Sequence, residues 1–129
     1  MTTPVQQVAA PAPGYDARLS LGARAPDDES LGWIRALSSD GSEHEDAVER
    51  LHALLLRAAR FEVARRRRTV GGGGSGDLDD LAVQAADDAL VAVMRKLHTY
   101  RGDSRFTTWA YKFALLEAGV KLRRRPTTR

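Results

Sequence analysis

From Ser42 to Arg68, and again from Leu78 to Leu97, apolar residues return every three or four positions. Val48, Leu51, Leu55 and Ala58 share a face in the first stretch, and Leu78, Leu81, Ala85, Ala89, Val93 and Leu97 share one in the second. Such spacing puts side chains on one side of an α-helix. Strand-like alternation is absent, and Ala, Leu, Arg and Glu dominate. The fold class expected is all-α, a small domain of about four helices.

Local signals divide the chain. A short helix is expected over 28–39, "DESLGWIRALSS", closed by Gly41. The next begins at "SEHE", where Ser42 and Glu45 form a capping-box pattern, and runs to about Arg68. "GGGGSG", residues 71–76, cannot hold a helix and reads as a flexible connection. A third helix starts after Asp77 as N-cap, with Asp79, Asp80, Asp87 and Asp88 facing outward. After the turn "YRGD" a fourth runs from about Ser104 to Arg124, and Pro126 ends it. Residues 1–26 hold four of the five prolines and little to bury, so they read as a disordered tail. The folded domain is then 27–125, with 126–129 a short C-terminal tail.

The fourth helix is expected to pack on two sides. Phe106, Trp109, Ala110, Phe113, Leu116 and Val120 fall on one broad face, and Tyr111, Leu115, Ala118 and Leu122 on a second. Between them Thr108, Lys112, Gly119 and Arg123 form a narrow basic stripe.

Charge is distributed unevenly. The net charge of +3 combines balanced residues 1–76, a 77–94 block with five aspartates and no Lys or Arg, and a 95–129 block with ten Lys/Arg against Asp103 and Glu117. Dipole matching at helix ends accounts for part of this. A basic excess over 35 residues is longer than one helix end and suggests two surfaces with different partners.

Several chemistries lack their residues. There is no cysteine, so disulfides and thiolate metal sites are excluded, which fits a reducing cytoplasm. No apolar run is long enough for a membrane span, and no signal peptide is legible. His44 and His52 sit eight apart, not the three or four that a helical zinc site uses, and His98 stands elsewhere. "GGGGSG" lacks the Lys-Ser/Thr of a phosphate-binding loop. No catalytic set, cofactor site or metal site is expected. Arg65–Arg68, "RRRR", reads as helix-end dipole compensation or as a phosphate-contacting patch.

The stretch "YRGDSRFTTWAYKF", Tyr100–Phe113, holds five of the eight aromatic residues beside Arg101, Arg105 and Lys112. Rings that stack bases and cations that track phosphates are what single-stranded nucleic acid requires. Gly102 lets backbone approach a ligand closely. An aromatic core at a helix start is the competing reading, and Phe106 and Phe113 suit it in either case.

The segment "DLDDLAVQAADDALVAVMRKLHTYRGDSRFTTWAYKFALLEAGVKLRR" resembles region 2 of bacterial RNA polymerase sigma factors of the extracytoplasmic-function group. The resemblance implies a non-enzymatic helical domain that docks on the clamp helices of the polymerase beta-prime subunit. It also implies melting of the promoter minus-ten element and capture of its non-template strand. By position, Asp79, Asp80, Leu81 and Gln84 would face core RNA polymerase. Tyr100, Arg101, Gly102, Asp103, Ser104 and Arg105 would receive an extruded base. Thr108, Trp109, Lys112, Lys121, Arg123 and Arg124 would lie along the promoter DNA. An anti-sigma factor is a further partner of such domains. The helix-turn-helix domain that reads the minus-35 element in the family has no counterpart here. An alternative is therefore a regulatory protein that occupies the polymerase or an anti-sigma factor without initiating transcription.

Overall fold

A computed structural model describes residues 27–70 and 75–124. The expected tail over 1–26, most of the glycine connection, and residues 126–129 with Pro126 lie outside these. The described residues form four α-helices: α1 (Asp28–Leu37), α2 (Gly41–Val70), α3 (Ser75–Lys96) and α4 (Phe106–Arg124). A single 3-10 turn, Leu97–Thr99, follows α3. The all-α class is as the periodicity implies.

Helices α2, α3 and α4 pack on one another, and α1 lies against α2 and α4. Helices α2 and α3 run antiparallel, since His52 meets Asp87 and Arg60 meets Asp79. Among the described residues eleven of the nineteen buried hydrophobic side chains are alanine. Small side chains let helix backbones approach closely. The large apolar groups left to fill the interior are few, chiefly Trp33, Leu51, Leu55 and Phe106.

Some expected boundaries move. Helix α2 starts at Gly41, so Ser42 lies inside its first turn and not at the cap. Gly41 has φ +72°, a conformation in which a side chain is strained, and it turns the chain between α1 and α2. Helix α3 starts at Ser75, which places Ser75 and Gly76 in the helix and Asp77 in the first turn, where its charge still favours the dipole. Asp79, Asp80, Asp87 and Asp88 are exposed as expected. The buried row of α3 also includes Ala82 and Ala86.

Helix α4 departs most from expectation. Its buried row is Phe106, Ala110, Ala114 and Ala118, each four residues from the last. Leu116 is 68% exposed. Two residues from Ala114 is a rotation of about 200°, so Leu116 cannot share that core. Gly119, placed by the sequence in a solvent-facing stripe, is buried. A Cβ there would come 3.3 Å from the Arg66 guanidinium, which lies across it from α2.

The start of α4 is held by α1. Its first residue is Phe106, preceded by Arg105, which has no capping side chain of the preferred kind. The Phe106 N–H donates instead to Ser30 Oγ, 2.8 Å away and 76 residues earlier. Ser30 is 1% exposed and its own N–H donates to Asp27 Oδ1, the N-cap of α1. Ser30→Ala strands a buried amide, so unfolding free energy falls by about 1–3 kcal/mol in a denaturant titration. A change within a few tenths would show that water replaces the hydroxyl.

Candidate nucleic-acid interface

The chain from Tyr100 to Arg105 turns tightly before α4. Gly102 takes φ +86°, which a side chain disfavours, and is buried against the turn. The Tyr100 hydroxyl donates to the Ser104 carbonyl and closes the turn from within. Burial pushes the Tyr100 phenol above its ordinary pKa, and the carboxylates of Asp27 and Asp103 add to the rise. It therefore stays protonated and remains a donor at neutral pH. Arg101 bonds Asp103 at 3.2 Å, so the outward charges of the turn are partly matched within it. Arg105 extends over Asp27 at 3.8 Å. Hydrogen bonds from Ser30, and then the Arg105 charge, hold the Asp27 carboxyl below its usual range.

Behind the turn the rings form a continuous cluster. Trp33 of α1 stacks on Phe106 with centroids 5.4 Å apart. Tyr100 meets Phe106 edge-on at 5.6 Å and Trp109 at 5.3 Å. Trp109 meets Phe113 at 4.9 Å, ring edge to ring face. Phe106 is fully buried, while Tyr100, Trp109 and Phe113 are half-buried. Phe106 is thus a core ring, and Tyr100, Trp109 and Phe113 pack against that core while staying partly accessible. Arg50 of α2 covers the outer side of Trp33 at 4.6 Å. Trp33, Ser30 and Asp27 were not singled out from the sequence; the Asp-x-x-Ser start of α1 was the only local trace of them.

Outside the rings is a cationic row. Arg105 is 72% exposed in its side chain, and Thr108, Lys112, Arg123 and Arg124 are all exposed. Helical spacing puts Arg105, Thr108, Lys112 and Arg123 on the same side of α4. Leu116 lies among them, giving the row an apolar centre. Lys121 is not in this row. Its side chain is 18% exposed and its ammonium bonds Asp88 of α3, with Glu117 at 3.9 Å. It joins α3 to α4.

The acidic positions lie on α3. Asp79 accepts two hydrogen bonds from Arg60 of α2, at 2.8 and 3.3 Å. Asp80 and Gln84 are exposed, and Leu81 is half-buried. Arg60 and Asp79 line a cleft of about 190 Å³ with Leu78 and Arg67. Among the described residues no group of three His, Asp or Glu is placed to hold a metal ion.

The site thus offers half-buried rings, a glycine turn and a row of cations on one surface, with carboxylates gathered on another. That arrangement suits a polyanion carrying planar groups. No helix among the described residues is long and apolar enough to cross a membrane. No protein-family model matches the chain, and no curated protein or solved structure matches it either.

Proposed function

We propose that this chain acts as a sigma-factor region 2 domain. It binds core RNA polymerase through the α3 face around Asp80, Leu81 and Gln84. It holds the single-stranded minus-ten element through the Tyr100–Arg105 turn and the exposed side of α4. The observation that carries this reading is the row Arg105, Thr108, Lys112 and Arg123 beside the half-buried rings Tyr100, Trp109 and Phe113. Phosphates would lie along the cations, and an unstacked base would enter at the turn, where Asp103 and Ser104 offer acceptors. Asp79, already engaged by Arg60, contributes to the α3 face mainly by shaping it. Lys121 is drawn away to Asp88 and supports the helix pair. Such work takes place in the cytoplasm, and the domain needs no cofactor.

The test uses core polymerase, this chain and a labelled single-stranded minus-ten oligonucleotide. Lys112→Ala and Arg123→Ala each weaken binding to every sequence and flatten the salt slope by about 0.7. Asp103→Ala with Ser104→Ala changes base preference at one position instead. Asp80→Lys weakens assembly with polymerase while leaving the circular-dichroism spectrum intact. Wild-type affinity and salt slope in a Lys112→Ala/Arg123→Ala double variant would overturn the reading.

A further inference from the structure

Phe61 of α2 is 54% exposed, although its neighbours Glu62 and Val63 are buried. Arg57, Phe61 and Arg65 follow at four-residue intervals and so form one outward row, which Arg68 extends by a turn. All four are exposed. Arg65 gives two of its five N–H donors to Glu62, at 3.1 and 2.8 Å, and keeps three for other acceptors. Among the described residues Arg57 and Arg68 have no ion pair. The α3 side of α2 differs: there Arg60 and His52 meet Asp79 and Asp87. Arg66, about 140° round α2 from Phe61, reaches across to α4 at Gly119. The row therefore lies on the outward side of α2, and the α3 carboxylates that meet this helix are paired off the row, with Arg60 and His52.

We infer that the row Arg57, Phe61, Arg65 and Arg68 is a second contact for single-stranded nucleic acid, distinct from the turn and α4. Among the described residues the carboxylate that pairs with the row is Glu62, which is buried and shared between Arg65 and Arg66. What remains outward is cationic, with a ring at its centre. Phosphates complement the guanidinium groups, and a base stacks on Phe61. A duplex would leave the ring unused, because its bases are already stacked. The inference rests on α2 alone and extends the proposed function by lengthening the path of the strand.

The probe is labelled oligothymidylate, in short and long forms, titrated with the full chain at low salt. Phe61→Ala lowers affinity for the long form at least about fivefold, and Phe61→Trp restores it. Arg57→Ala with Arg68→Ala flattens the salt slope by about 1.4. All three variants keep the wild-type thermal unfolding curve, since the side chains are exposed. If Phe61→Ala binds as the wild type does while Lys112→Ala weakens binding, the α2 contact is wrong and the α4 reading stands. If Phe61→Ala weakens binding while Lys112→Ala and Arg123→Ala do not, the α2 contact stands and the α4 reading fails. Equal, Phe61-independent binding of duplex and single strand overturns the inference in favour of a phosphate patch. Failure of the wild-type chain to bind the long form overturns it outright, as does Phe61-dependent capture of an acidic peptide in place of the oligonucleotide.

Discussion

Phe106→Ala lowers the unfolding free energy by about 3–5 kcal/mol. The ring is fully buried and is the largest side chain in that state. It touches Trp33, Tyr100 and Trp109, which belong to α1, the turn and α4. Many core neighbours are alanines, which have no rotamers with which to fill a void. Total stability for a domain of this size is about 5–15 kcal/mol, so the loss removes a large share of it. Urea titration followed by circular dichroism reads it as a lower midpoint with an unchanged slope. Phe106→Leu keeps most of the volume and falls in between. A loss under about 1.5 kcal/mol would mean that the ring cluster collapses around the cavity, contrary to the packing described.

The second large effect concerns a buried charge. Glu62 is 5% exposed, and its carboxylate accepts from Arg65 and from Arg66, the latter at 2.7 Å. Burial raises its pKa, but the two guanidinium groups more than offset this and hold it below the ordinary 4.5. The stability this gives is complete above about pH 4.5, the reference value, and is lost as pH falls through the depressed folded pKa. Arg65→Met with Arg66→Met removes both partners and leaves burial acting alone. At neutral pH the double variant loses about 3 kcal/mol, because a charge stays in the interior without compensation. Its folded-state pKa then lies above the unfolded value, so its stability rises as pH falls through that raised pKa. The wild type and the double variant therefore move in opposite directions in acid. Parallel curves across the acidic range would contradict this account of Glu62.

The helices were legible because their apolar spacing is regular over many turns. Leu51, Leu55, Ala85 and Val93 are buried where periodicity put them. The interior row of α4 was legible only in part: Phe106 and Ala110 were placed on one apolar face and Ala118 on another, and Ala114, which joins them into one row, was on neither. Large side chains drew attention instead, which is why Leu116 was expected inside and stands outside. Gly119 carries no local sign that an arginine from another helix will cover it. The candidate site divides the same way. The turn and the cations of α4 could be read from one short segment. Ser30 and Trp33 could not, since what they do depends on residues more than seventy positions away. Lys121 looked like its basic neighbours until α3 supplied Asp88.

The bond from Phe106 N–H to Ser30 Oγ also has a meaning in time. Helices α2, α3 and α4 are joined by short segments and can find one another early, since closing short loops costs little entropy. Helix α1 precedes them in the chain, yet its partner surface is completed only when the turn and α4 exist. During synthesis α1 meets α2 first, and the face of Trp33 that stacks on Phe106 stays uncovered until α4 is made. The turn in its final shape is thus a late product of folding. Any polypeptide cut short before Phe106 leaves α1 seated on α2 alone, with Ser30 Oγ lacking its Phe106 donor and one face of Trp33 unpartnered.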